Sequence, residues 1–228
     1  MPTFVSSPAR DRAASLEYWT RLGFAVRSDT DDHCVVADAG ITLVLDPRPF
    51  ARPALGLMGS DWDARVPALR ELTGVMETDY GFLTSDPSGA WIELRREFNH
   101  GSGEPAGSSA LGTFAGMSLE MVDVVRGRAL YEALGFVHTK GDLEQGWVSL
   151  AHPEGLTVSL MKPFACPHSF VNPSLTYFNG GNNPSIIADL RARGVPFAEE
   201  VTVFNDQGEV DNVILRDPGG LGVFVFND

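Results

Sequence analysis

The chain changes repeatedly between two spacings of apolar residues. Segments in which every second residue is apolar predict strands, and apolar residues every three to four positions predict amphipathic helices. The helices are predicted at residues 11–22, 61–72, 123–133 and 184–193, and the strands at residues 2–6, 23–28, 33–37, 41–45, 54–58, 75–78, 80–84, 90–95, 113–121, 135–139, 146–150, 156–161, 174–178, 199–204, 210–216 and 221–226. Pro67, inside the second helix, predicts a kink or a later start of that helix. The order is strand, helix and three strands, four times over.

Two short motifs occur twice in the same order. Leu22-Gly23-Phe24 returns as Leu134-Gly135-Phe136, after a helical segment in both places. Asp86-Pro87-Ser88-Gly89 returns as Asp217-Pro218-Gly219-Gly220, before a final strand in both places. The first pair is 112 residues apart and the second pair 131, so the second copy is longer by 19 residues. The chain is therefore an internal repeat.

The repeat predicts two domains, residues 1–98 and residues 112–228. Residues 99–111 between them are polar and rich in Gly and Ser, as is typical of a linker. Each domain contains two βαβββ units, in which a helix must cover one sheet face while the other face can curl. The predicted fold class is α+β, with four βαβββ units forming two tandem domains with curled mixed sheets.

Composition and charge limit the range of functions that the chain could have. Hydrophobic residues make up 43% of the 228 residues, and no apolar run reaches the roughly 18 residues of a membrane span. No signal peptide is recognisable, so a cytoplasmic protein without a membrane partner is expected. The formal net charge of −13 disfavours nucleic-acid binding. It either favours a cationic ligand or serves only solubility.

In these motifs the sequence resembles the vicinal-oxygen-chelate superfamily. The resemblance rests on Tyr18-Trp19 before the first Leu-Gly-Phe motif, on the Asp-Pro-x-Gly turn, and on closing strands such as Trp91-Ile92-Glu93-Leu94. It covers nearly the whole chain outside the linker. The superfamily includes glyoxalase I, extradiol dioxygenases, fosfomycin-resistance enzymes and metal-free drug-sequestering proteins. The resemblance implies two glyoxalase-like domains, each with a curled sheet around a ligand cavity.

The resemblance also implies where a divalent metal would be held in an enzyme of this group. The ligands are usually His or Gln on the first strand of a unit and Glu on its last strand. At those positions, unit by unit, this chain has Phe4 or Ser6 and Val44, then residues 55–57 and Glu93, then Gly116 or Ser118 and Ser159, then Ser174 or Thr176 and Phe224. Only Glu93 matches. We therefore expect no metal and no other cofactor, the alternative being a divalent metal at unusual positions.

Glu93 is the candidate for chemistry in the first domain. Alternation along the strand places it on one face with Trp91 and Arg95. It could contact a ligand, act in catalysis, or be paired internally with Arg95. We expect the first domain to hold the main site, and predict these ligand-binding residues: Trp91, Glu93, Arg95, Phe4, Val44, Ser118, Ser159 and Phe224.

The second domain should present small polar and aromatic side chains on the equivalent face. The same alternation places Ser159 and Phe224 there, and Phe114 and Ser118 are expected to join them. These side chains either line a cavity or fill a closed core. The five histidines show no metal-ligand spacing, and surface or local hydrogen-bonding roles are expected for them. The two cysteines are expected to be free thiols rather than a disulfide.

Three functions are compatible with these features. The first is metal-independent binding of a small organic molecule, cationic or aromatic, like the drug-sequestering members of the group. The second is a glyoxalase-like lyase, isomerase or dioxygenase that uses Glu93 or an atypical metal site. The third is a sensor or interaction module. Four units in one chain can complete both cups, so a monomer is expected in preference to a homodimer.

Overall fold

The computed structural model of the protein describes residues 3–97 and 107–227. Within these ranges the chain forms two mixed sheets of eight strands, each with two α-helices. The first domain contains β1 (Thr3–Pro8), α1 (Arg12–Arg21), β2 (Ala25–Asp29), β3 (Cys34–Ala37), β4 (Thr42–Asp46), β5 (Ala54–Met58), α2 (Trp62–Arg70), β6 (Val75–Thr78), β7 (Gly81–Ser85) and β8 (Trp91–Arg95). The second contains β9 (Phe114–Glu120), α3 (Val124–Ala133), β10 (Val137–Asp142), β11 (Trp147–Ala151), β12 (Thr157–Met161), β13 (Ser174–Phe178), a 3-10 turn (Gly180–Asn182), α4 (Asn183–Ala192), β14 (Glu199–Val201), β15 (Asn212–Arg216) and β16 (Gly222–Phe226).

The two sheets have the same topology. The strand order is β2-β3-β4-β1-β5-β8-β7-β6 in the first and β10-β11-β12-β9-β13-β16-β15-β14 in the second. The first strand of each unit is parallel to the last strand of that unit, and the two units meet at an antiparallel pair in the centre of the sheet. The predicted α+β architecture of four βαβββ units is confirmed.

Details at two positions refine the prediction from the sequence. Helix α2 begins at Trp62 and continues through Pro67, so the proline does not delay its start. Most of the predicted linker, residues 99–111, lies outside the described residues. Its described end is hydrogen-bonded to the first domain, because Ala110 N donates to Leu22 O at 2.7 Å and Ala39 N donates to Gly107 O at 3.0 Å. The domain bounds themselves stay a prediction.

One hydrophobic core joins the two domains. It takes alternate residues from the strands, such as Ile92 and Leu94 on β8 and Val158 and Leu160 on β12, together with the apolar faces of the four helices. The intervening residues of these strands face the opposite side of each sheet. Any ligand cavity inside a sheet must therefore be lined by this second set of residues. Among the described helices none has both the length and the apolar character needed to cross a bilayer.

The repeated motifs of one domain bind those of the other. Asp217, which begins the second Asp-Pro-x-Gly turn, accepts hydrogen bonds through Oδ2 from Trp19 Nε1 (3.2 Å) and Ser7 Oγ (2.5 Å). Asp86, which begins the first turn, accepts one from Tyr131 Oη at 3.0 Å. Both carboxylates use Oδ1 to hold their own turns. Trp19 and Tyr131 each stand three residues before the leucine of their Leu-Gly-Phe motif. The motifs therefore serve to join the domains.

These buried contacts predict a pH dependence of stability. Burial raises the pKa of Asp217 above the usual 3.8, although its hydrogen bonds oppose the shift. The folded protein then binds a proton more readily than the unfolded chain, so this group stabilises the fold more as the pH falls toward 3.8. We expect the unfolding free energy of the protein to rise relative to that of Asp217→Asn as the pH is lowered from neutral. Urea unfolding at several pH values measures this.

The Asp86→Asn variant is a second test at the equivalent position of the first repeat, because burial raises the pKa of Asp86 as well. It should show the same sign of pH dependence. If the free energy of unfolding of the protein fell relative to that of both variants as the pH was lowered, this account of the interface would be contradicted.

Candidate functional site

A cavity of about 660 Å³ lies in the second domain, on the sheet face turned away from the helices. It is lined by residues of β9 to β13, β15 and β16 and of two loops. These residues are Ala115, Gly116, Ser118, Thr139, Lys140, Trp147, Ser149, Ala151, Thr157, Ser159, Met161, Ala165, Cys166, His168, Thr176, Phe178, Phe204, Asn212, Phe224 and Phe226. The size is in the usual range for a small-molecule site.

One side of the cavity, on β10, β11 and β12, carries hydroxyl groups; we call it the hydroxyl wall (Thr139, Ser149, Thr157 and Ser159). Ser149 Oγ and Ser159 Oγ lie 2.6 Å apart and share one hydrogen bond. A second hydroxyl pair, Ser118 Oγ and Thr176 Oγ1 at 2.7 Å, lies on the central strands. In each pair only one of the two protons is used, so the other remains available to a ligand.

The opposite side consists of rings; we call it the aromatic wall (His168, Phe204, Phe224 and Phe226). Phe224 and Phe226 are stacked at 5.2 Å between centroids with 9° between their planes. The ring of His168 stands edge-on to them at 5.3 and 4.9 Å, and Phe204 lies 5.9 Å from His168. These distances are those of favourable aromatic pairs. The wall offers a flat apolar surface to a ligand ring.

His168 is fixed in one tautomer by its neighbour. Its Nδ1 lies 2.9 Å from the carbonyl oxygen of Ser169. Because a carbonyl only accepts, Nδ1 carries the proton and Nε2 keeps its lone pair in the neutral ring. His168 therefore brings a hydrogen-bond acceptor to a largely apolar wall.

Two loops that are longer in the second domain complete this cavity. Residues 47–53 connect β4 to β5 in the first domain, whereas residues 162–173 make the equivalent connection in the second. Residues 79–80 connect β6 to β7, whereas residues 202–211 connect β14 to β15. The longer loops supply Ala165, Cys166, His168 and Phe204 to the cavity. Much of the extra length of the second repeat thus builds the wall of this site.

Cys166 contributes a thiol to the lining. Its Sγ lies 3.5 Å from Met161 Sδ, and burial, together with the charge of Glu120, raises its pKa. A thiol with a raised pKa stays protonated at neutral pH and is a poor nucleophile. Cys34 and Cys166 are both free, as the sequence predicts.

The charge of the lining differs from that of the whole chain. Lys140 and His168 are its basic residues, and no Asp or Glu stands among the lining residues that the structure describes. The overall charge of −13 therefore does not describe the site. A cation placed in this cavity would find no carboxylate partner on its walls.

The equivalent face of the first domain is occupied by its own side chains. Glu93 is 2% exposed and receives hydrogen bonds from Arg95 Nε (2.8 Å) and Nη2 (2.6 Å). The guanidinium of Arg95 also lies over the rings of Tyr80 (4.6 Å) and Phe4 (5.3 Å). Arg48 reaches Glu93 at 3.8 Å. Of the three roles considered for Glu93, internal pairing is the one whose contacts are seen.

The eight predicted ligand-binding residues fall into two groups. Three line the cavity of the second domain: Ser118, Ser159 and Phe224. Five lie in the first domain: Phe4, Val44, Trp91, Glu93 and Arg95. Trp91 is covered there by Arg52, whose guanidinium lies 5.2 Å from the ring. The ligand-binding role of all eight stays a prediction, but the two groups do not meet in one site.

Phe114 does not join the lining, and this prediction is wrong. The register of β9 against β13 shifts between Thr176 and Tyr177, so strict alternation fails at this end of the strand. Phe114 packs instead against Tyr177, with the ring centroids 5.4 Å apart. The alternative that the second sheet closes on a filled core is also wrong, because the cavity is open.

The residues at the metal positions that the resemblance implies do not fit a metal. In the second domain these positions hold glycine, hydroxyl and phenyl groups, with Ser118 paired to Thr176 and Phe224 in the aromatic wall. In the first domain Glu93 is already paired with Arg95. Throughout residues 3–97 and 107–227, His, Cys, Asp and Glu side chains nowhere gather in threes. The described residues thus offer no conventional set of metal ligands.

Comparison of the whole fold identifies its class. The structure matches homoprotocatechuate 2,3-dioxygenase from Arthrobacter globiformis with a TM-score of 0.63 and 18% identity, over 97% of this chain and 78% of that one. It matches the complex of the Brevibacterium fuscum enzyme with 3,4-dihydroxyphenylacetate at 0.63 and 17%, over 97% and 78%. An extradiol ring-cleaving dioxygenase from B. fuscum gives 0.62 and 17%, over 99% and 72%. The chain therefore shares the fold of these dioxygenases over nearly its whole length.

No family model and no curated protein matches the sequence itself. The structural comparison nevertheless corrects one expectation. The neighbours are dioxygenases, the kind of enzyme for which the resemblance implies a bound divalent metal, so the expectation of no cofactor conflicts with them. The fold is therefore shared with dioxygenases, whereas the described residues of this chain offer no conventional set of metal ligands.

Proposed function

We propose that the protein binds a small, largely apolar molecule with an aromatic ring in the cavity of the second domain. The observation that carries this proposal is the open cavity of about 660 Å³ between an aromatic wall and a hydroxyl wall. Such a site combines apolar surface, which provides affinity, with a few polar groups, which orient the ligand. Both sheets are complete within one chain, which supports the expectation of a monomer.

The first domain is the weaker candidate. Its charged residues pair with one another. Arg48 Nε donates to both carboxylate oxygens of Asp46 at 2.9 Å, and Arg95 donates to Glu93 through Nε and Nη2. A ligand on this face would have to displace these contacts, and the two carboxylates are buried, so the displacement would be unfavourable. We therefore assign this domain a structural role.

Naphthamide is a suitable probe because it is flat, neutral and carries both a donor and an acceptor. We expect the protein to bind it with a dissociation constant of about 100 µM, which is ordinary for a fragment of this size. Isothermal titration calorimetry measures this. Ser159→Trp places an indole inside the cavity and should abolish binding, whereas a variant that binds naphthamide as well as the parent protein would overturn the proposal.

A second function is favoured by the structural neighbours, which are ring-cleaving dioxygenases. It is the weaker proposal, because the described residues of the cavity offer no conventional set of metal ligands. Oxygen uptake with 3,4-dihydroxyphenylacetate, in the presence of added ferrous iron, separates the two. Turnover that Ser159→Trp abolishes would support an enzyme, and binding of naphthamide without any oxygen uptake would support a binding protein.

A further inference from the structure

We propose that the natural ligand of the second-domain cavity is an aromatic anion, with its ring on the aromatic wall and its acidic group near Lys140. This inference rests on the proposed function and adds the ligand's charge and orientation. It replaces the expectation of a cationic ligand, which depended on the charge of the whole chain and on Trp91 and Glu93 of the first domain.

The two walls stand on different parts of the sheet. The hydroxyl wall and Lys140 belong to β10, β11 and β12, at one side of the sheet order, whereas Phe224 and Phe226 belong to β16, on the far side of the central strands. A ligand that fills the cavity therefore meets hydroxyl groups, Lys140 and the single ring of Trp147 at one end, and the four rings of the aromatic wall at the other. The walls select a molecule with a polar end and an aromatic end.

The polar end of the cavity is rich in donors. The ammonium of Lys140 has three donors and no acceptor, and the Ser149–Ser159 pair has one proton to spare. A carboxylate or a similar oxyanion only accepts, so it matches this end without leaving a proton unpaired. Hydrogen bonds to an ionised group are also stronger than neutral ones.

Nearby acidic side chains do not neutralise this end of the cavity from within. On the same strand, Asp142 lies outside the lining and accepts a hydrogen bond from Glu144 N at 2.7 Å. The other lysine of the chain, Lys162, also lies outside the lining and donates to Leu143 O at 3.0 Å. Glu120 also lies outside the lining, where its Oε1 accepts a hydrogen bond from Phe164 N at 3.1 Å, and its charge acts on Cys166. The repulsion from distant surface carboxylates is screened beyond about 8 Å at physiological ionic strength.

Three probes with the same ring system test which ligand charge the cavity prefers. Naphthoate is an anion, naphthamide is its neutral equivalent of the same shape, and naphthylmethylammonium is a cation. We expect naphthoate to bind about tenfold more tightly than naphthamide, and the cation to bind more weakly than either. Lys140→Met keeps most of the side-chain volume and should bring naphthoate within about twofold of naphthamide. Lys162→Met, the matched control, should leave the preference unchanged.

The outcomes distinguish this inference from the proposed function. If none of the three probes binds, the proposed function fails and the inference fails with it. If naphthamide binds but naphthoate binds no better, the cavity is a binding site without selectivity for anions, and only the inference is overturned. Equal loss of preference in Lys140→Met and Lys162→Met would show a general charge effect, which would also overturn it.

Discussion

Replacing Phe224 with leucine is expected to weaken naphthamide binding by at least about tenfold, equivalent to about 1.4 kcal/mol. Phe224 stacks on Phe226 and meets His168 edge-on, so it holds the aromatic wall together. Leucine keeps the side chain apolar but removes the ring that a flat ligand would contact. Calorimetric titration of the parent protein and of the variant measures the difference.

The matched control is Trp91→Leu in the first domain. Trp91 is an aromatic residue on the equivalent sheet face, but the guanidinium of Arg52 lies over its ring at 5.2 Å. Its replacement should leave naphthamide binding within about twofold. Circular dichroism must show that both variants are folded. A larger loss in Trp91→Leu than in Phe224→Leu would place the site in the first domain and contradict the account.

The second large effect concerns stability. Glu93→Gln is expected to lower the free energy of unfolding by about 3–5 kcal/mol, the usual cost of breaking a buried ion pair from one side. The carboxylate lies between Arg95 and Arg48, and the side chain of Arg95 is 13% exposed. Without the charge of Glu93, the largely buried Arg95 guanidinium keeps only a neutral amide oxygen to accept its hydrogen bonds. Denaturation by guanidinium chloride measures the loss.

Two further variants test the cause of that loss. Arg95→Met in the Glu93→Gln background removes the guanidinium that has lost its charged partner, and should recover a large part of the free energy of unfolding. Asp63→Asn breaks an ion pair of similar geometry with Arg96, which is on the surface, and should have a much smaller effect. If Glu93→Gln were as mild as Asp63→Asn, the network would not be a structural element and a ligand role for Glu93 would regain support.

The fold could be predicted because its signals are repeated. Alternation identifies a strand even when its partner is unknown, and Leu22-Gly23-Phe24 and Asp86-Pro87 with their second copies fix the order of the units. The reason for these motifs could not be predicted. The hydrogen bonds from Trp19 to Asp217 and from Tyr131 to Asp86 cross between the domains, and such pairs have no signature in a single sequence.

The site was harder to predict because alternation shows the face of a residue and not the space beside it. It correctly placed Glu93 and Arg95 on one face. It could not show that Arg48, from the loop after β4, also reaches that face. His168 was missed for a related reason, since it lies on a loop and has no metal-ligand spacing. The extra length of the second repeat was a usable signal, because the longer loops hold His168 and Phe204.

A crystal structure of the protein soaked with naphthamide tests the central claim most directly. The account predicts density for the probe in the second-domain cavity, with its ring against Phe224 and Phe226 and its amide toward the hydroxyl wall. The Arg95–Glu93 contact should be unchanged. Density for the probe on the first domain, beside Trp91 with the Arg95–Glu93 pair broken, would contradict it.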